Sequence, residues 1–142
     1  MRNETETTTQ KARILIIEDD ESIRKTLSFR LEKSGYEVFQ STDGFEGLDD
    51  AKQLKPDLVV LDLKLPGRPG EEICKAIRDD QDKLFAKTPI LMLTGKTSDV
   101  DHVIGMVIGA TAYVPKPYRM PMLMREIKRC LDFRSGSLGR IV

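Results

Sequence analysis

The chain has 142 residues, of which 39% are hydrophobic and 32% charged, with 23 basic and 23 acidic side chains. That length suits one domain with a single core, and the apolar content is enough to fold it. A net charge of zero gives no support to general nucleic-acid or membrane-surface binding, which needs a basic face, while leaving room for a small charged site.

The first ten residues are polar and rich in Thr and Glu, with neither the basic start nor the apolar stretch of a secretory leader. No window approaches the roughly 20 apolar residues needed to cross a bilayer. The first apolar run, Ile14-Leu15-Ile16-Ile17, is short and continuous, as in a strand buried on both faces. Ile23, Leu27 and Leu31 then mark a helix that stops at Gly35. A weaker strand follows at 37–40, and Phe45, Leu48 and Leu54 mark a second helix ended by Pro56. Leu58-Val59-Val60-Leu61 is the next buried strand, and residues 71–80 form a third helix with Ile73 and Ile77 on one face. Ile90-Leu91-Met92-Leu93 is followed by an expected fourth helix over 98–108, stopped at Gly109. A last weaker strand at 112–114 precedes a fifth helix over 122–133, striped by Leu123, Ile127 and Leu131. Cys74 and Cys130 fall within helical patterns, without metal-like spacing, and read as buried small hydrophobes in a reducing, cytoplasmic setting.

Five strands alternating with five helices predict right-handed crossovers and a doubly wound α/β fold with a five-stranded parallel sheet. Ligands in such folds gather beyond the carboxyl ends of the strands. The residues there are Glu18-Asp19-Asp20 after the first strand, Asp62 after the third, Thr94 after the fourth and Lys116-Pro117 after the fifth. Converging carboxylates repel one another and lose hydration, a conflict that a divalent cation resolves. An oxygen-only donor set suits Mg²⁺. A carboxylate held there can attack a phosphoryl group while the cation and a lysine neutralise the developing charge. Taken singly, Asp20 is a helix cap, Thr94 a loop hydroxyl, Lys116 a solvated turn and Tyr113 a core aromatic. Asp62, between Leu61 and Leu63, is harder to dismiss, because a charge inside an apolar segment needs a partner. Their joint occurrence at four strand ends points to phosphoryl acceptance.

The segments ILIIEDDESIR (14–24), LVVLDLKLPGRPG (58–70), PILMLTGK (89–96) and GATAYVPKP (109–117) resemble, in order and spacing, the receiver domain of bacterial two-component response regulators. The resemblance covers 12–131 and implies the flavodoxin-like, receiver-type sheet. By that resemblance Asp62 is the phosphoacceptor, Asp19 a direct Mg²⁺ ligand, Glu18 its acidic neighbour and the backbone carbonyl of Lys64 a further ligand. Lys116 would pair with the phosphate beside a cis bond to Pro117, and Thr94 with Tyr113 would form a switch pair. The donor would be a sensor histidine kinase or a phosphotransfer protein, chosen through the first helix around Ile23 to Leu27 and Arg30. The domain would dephosphorylate itself without turning over an external substrate, and would contact neither nucleic acid nor membrane.

The expected division is a flexible polar tail (1–11), the receiver domain (12–133) and a tail or linker start (134–142); whether an output domain follows stays open. The 98–108 helix spreads apolar residues over a wide arc around Gly105, and Met120, Met122 and Met124 suit a surface that repacks. That surface of the fourth helix, fifth strand and fifth helix is expected to change on phosphorylation and to serve a homodimer or partner. His102 reads as a solvated position. Pro69 departs from the acidic or small polar residue of many receivers, and Lys64 and Lys96 flank the mouth of the site, where they would tune phosphoryl lifetime. Two other readings are a receiver that folds without being phosphorylated and docks constitutively, and a small Mg²⁺-dependent aspartyl phosphatase. The second usually carries Asp-x-Asp after its first strand. A flavin module is disfavoured, because Glu18-Asp19-Asp20 would repel the flavin phosphate.

Overall fold

Continuous apolar runs force a strand to be covered on both faces. A computed structural model, which describes residues 10–95 and 109–135, shows how the chain meets that demand. Strands β1 (Arg13–Ile17), β2 (Glu37–Ser41), β3 (Leu58–Asp62), β4 (Ile90–Thr94) and β5 (Ala112–Pro115) form one parallel sheet in the order β2-β1-β3-β4-β5. Helices α1 (Glu21–Lys33), α2 (Gly44–Leu54), α3 (Gly70–Arg78) and α4 (Met120–Ser135) connect or flank the strands, with a 3₁₀ turn at Phe85–Lys87. This is the expected doubly wound sheet. The expected helix at 98–108 lies outside the described residues, together with Lys96 and His102.

Side chains alternate along a strand, so each buried strand feeds two cores. Ile14 and Ile16 pack with Leu27 and Leu31 of α1 and with Leu123 and Ile127 of α4. Leu15 and Ile17 pack on the opposite face with Leu48 and Ala51 of α2 and with Ile73 and Ile77 of α3. Each fully buried Leu or Ile contributes about 1.5–3 kcal/mol of transfer free energy. Cys74 and Cys130 are buried one in each core, as free thiols. Phe45 lies in the helix it was expected to mark but is exposed, because Leu48 and Ala51 define the inward stripe of α2. Its ring instead covers Gly67, where an added Cβ would lie 2.8 Å from the ring and where φ is +80°. No helix among the described residues is long and apolar enough to cross a membrane.

The register places the strand ends side by side. Ile17 pairs with Leu61, Asp62 with Leu93, and Thr94 with Pro115. Chain leaving these strands therefore converges on one edge of the sheet.

Candidate functional site

The acidic turn after β1 is fixed by its own polar groups. Asp20 caps α1, its Oδ1 accepting from the Ile23 N–H at 3.0 Å, which is the capping role its sequence position suggests. The Asp20 N–H donates to Glu18 Oε2 at 3.0 Å, and the Glu18 N–H donates to the Ser41 carbonyl of β2 at 3.1 Å. Glu18 is thereby turned inward and is only 1% exposed, while Asp19 stays at the surface. At the end of β3, Asp62 is buried too, its Oδ1 accepting from the Lys64 N–H at 3.1 Å. Gly70, the first residue of α3, passes so close behind that an added Cβ would stand 2.6 Å from the Asp62 carbonyl oxygen.

Opposite these acids, the Lys116–Pro117 bond is cis, and the Lys116 Nζ donates to Asp62 Oδ2 at 3.1 Å. The same ammonium lies 3.6 Å from Glu18 Oε1. Burial works against charge on Lys116, but Asp62 and Glu18 outweigh it and raise its pKa above the ordinary lysine value. Glu18 is the group left under-compensated. Burial first, and then the neighbouring Asp62 carboxylate, push its carboxyl up to about 7, against the opposing pull of the Asp20 N–H and Lys116. Its Oε1 is buried without a hydrogen bond among the described residues.

Glu18, Asp19 and Asp62 each offer a carboxylate oxygen, and these three atoms lie within 4.8 Å of one another. Among the described residues one ammonium, that of Lys116, pairs with Glu18 and Asp62, and Asp19 adds a third carboxylate, so the cluster is short of positive charge. The donors are all hard oxygens, and one of them lacks a hydrogen bond, so the set fits a hard divalent cation such as Mg²⁺. The Lys64 carbonyl, the remaining expected ligand, belongs to the loop that leaves Asp62.

Thr94 is fully buried at the end of β4, and its carbonyl accepts from the Lys116 N–H. Tyr113 pairs with Met92 in register and packs into the core shared by α2 and α3. Thr94 lies two residues beyond Met92, so strand alternation puts Thr94 and Tyr113 on the same face of the sheet. Gly95 is open, with nothing within 4 Å of a would-be Cβ.

Two residues near the site escape sequence reasoning. Arg24 of α1 donates from Nη1 to the Glu18 carbonyl at 3.0 Å and to the Asp19 carbonyl at 3.5 Å, and from Nε to Gln40 Oε1 at 3.1 Å. Its only sequence signal is its place one helical turn after the cap. Tyr118 is half-buried; burial leads in raising its hydroxyl pKa, with Lys116 opposing and Glu18 and Asp62 adding to the rise.

A profile of the family described as "Response regulator receiver domain" matches residues 14–128. The alkaline phosphatase synthesis transcriptional regulatory protein PhoP of Bacillus subtilis is 44% identical over 119 residues, which are 84% of this chain. The chain spans 48% of that relative's length. Among solved structures, chemotaxis response regulator CheY4 of Vibrio cholerae superposes with a TM-score of 0.79 at 36% identity, covering 85% of this chain and 99% of that one. The BeF3-activated N-terminal receiver domain of RstA from Klebsiella pneumoniae gives a TM-score of 0.75 at 29% identity, covering 84% and 97%. The chain therefore belongs to the response regulator receiver domain family, the phosphoacceptor modules of two-component signalling.

Proposed function

We propose that Asp62 is the residue that accepts the phosphoryl group, and that a sensor histidine kinase or a phosphotransfer protein donates it. The observation that carries this reading is the sharing of one ammonium, that of Lys116, between the two buried carboxylates Asp62 and Glu18. An Asp62 oxygen attacks phosphorus as the bond from phosphorus to the donor's imidazole nitrogen breaks, the electron pair staying on that nitrogen. The Lys64 N–H holds one Asp62 oxygen in place. Lys116, kept protonated by its neighbours, faces the charge that grows on the phosphoryl oxygens. Glu18, Asp19, Asp62 and the Lys64 carbonyl would hold Mg²⁺, which supplies charge neutralisation at those oxygens. Later attack of water on the acyl phosphate regenerates Asp62, so the domain resets without an external substrate.

Thr94 would donate its hydroxyl to a phosphoryl oxygen, and Tyr113, on the same face of the sheet, would respond to it. A hydroxyl drawn toward the phosphate vacates space for the ring, giving a two-state element biased by local charge. The surface formed by 98–108, β5 and α4 would change with it and serve a homodimer or a partner. The receiver would occupy 12–133, with a linker starting at 134–142.

The test is intact mass after incubation with Mg²⁺ and phosphoramidate. Wild type is expected to gain one phosphoryl group and Asp62→Asn none. An adduct that persists in Asp62→Asn overturns the assignment. No adduct in wild type, with Mg²⁺ bound, would mark a constitutive docking module instead.

A further inference from the structure

The carbonyls of Glu18 and Asp19, in the turn that carries the two acidic side chains, accept from a long cation that reaches them from the first turns of α1. Arg24 Nη1 donates to both, while its Nε is tied to Gln40 Oε1 on β2. The backbone of Arg24 is itself anchored by donation to the Asp20 carbonyl at 2.9 Å. A planar guanidinium satisfies several acceptors at fixed angles, which a flexible ammonium does not. The turn is thus clamped from β2 by the Ser41 carbonyl, from within by Glu18 Oε2 and from α1 by Arg24.

We propose that Arg24 is a positioning residue for the acidic pair, holding the Glu18–Asp19 backbone so that both carboxylates meet Asp62 in metal-binding geometry. This rests on the reading of the acidic cluster as a Mg²⁺ site. Arg24 touches neither Asp62 nor the carboxylate oxygens that face it; it acts through the peptide groups it holds. The electrostatic and positional roles of such a cation have opposite signs. A positive charge near the site repels a divalent cation, so removing it should tighten Mg²⁺ binding if charge alone matters. Loss of a supporting hydrogen bond behind a ligand weakens binding instead, typically 10–100-fold.

The experiment is a calorimetric titration of the unphosphorylated chain with MgCl₂, comparing wild type, Arg24→Met and Arg24→Lys, with folding checked by circular dichroism. Arg24→Met is expected to weaken Mg²⁺ binding about tenfold, with Arg24→Lys recovering only part of the loss. Unchanged or tighter binding in Arg24→Met overturns the proposal. If Arg24→Met does not fold, Arg24→Lys decides: it keeps the charge but not the fork, so wild-type affinity there overturns the proposal equally. A wild-type chain that binds no Mg²⁺ overturns the metal reading beneath it, a result distinct from either.

Discussion

The two rims of the sheet treat charge in opposite ways. At the amino ends of β4 and β5, the half-buried guanidinium of Arg78 makes four hydrogen bonds to acceptors from two segments, 86–88 and 109–111. Its Nε donates to the Gly109 carbonyl at 2.9 Å, and its Nη1 donates to the Ala86 and Thr88 carbonyls at 3.0 and 2.7 Å. Nη2 reaches Thr111 Oγ1 at 3.4 Å. Arg13 does the same for β1, donating to the Leu54 carbonyl at 2.7 Å. At the carboxyl rim the balance reverses: Glu18 and Asp62 share one lysine, and a buried Glu18 oxygen lacks a hydrogen bond. The cations of one rim hold the backbone of neighbouring segments, whereas the acids of the other outnumber the described cation between them.

The comparison breaks first at Arg78. Arg78→Met leaves the partly buried carbonyls of Ala86, Thr88 and Gly109 without this donor and should cost about 3 kcal/mol of stability. Urea denaturation measures this, and Mg²⁺ affinity of the folded variant should stay at the wild-type value. A midpoint unchanged from wild type would mean that the amino rim does not depend on this clamp.

The carboxyl rim is sharpened by pH. Glu18 titrates near 4.5 when unfolded and at about 7 when folded. The folded state therefore binds the extra proton, and the resulting stability is fully present below 4.5 and gone above about 7. In chelator-treated protein, stability should fall across that window by up to about 1.4 kcal/mol per pH unit. Glu18→Gln should remove this component from the profile. Equal slopes for the two proteins would show that Glu18 is not the group responsible. The smallest effect is at the cap: Asp20→Ala should lose about 1 kcal/mol, read by thermal unfolding.

The sheet was legible because Ile14 to Ile17, Leu58 to Leu61 and Ile90 to Leu93 are apolar without alternation, a pattern that allows little but two-sided burial. Asp62 stood out because it follows such a run directly and lies between Leu61 and Leu63, whereas Glu18, Thr94 and Lys116 gained meaning only jointly, as the residues at the other strand ends. Arg24 and Arg78 did not, since a long cation on an amphipathic helix normally reads as solvated. Which carbonyls it can reach depends on the packing of other strands, and Gly109 lies 31 residues from Arg78. Which way Phe45 faces was not legible either. A large apolar residue in a helix start carries no sign of whether it faces the core or a neighbouring loop. Phe85, buried in the 3₁₀ turn, has no periodic neighbours to reveal it.

Lys116 stands 54 residues after Asp62 and follows the last strand of the sheet. During synthesis, a growing chain carries the acids of β1 and β3 well before the cation that completes their pocket. The pocket is therefore finished last, by the residue that follows β5.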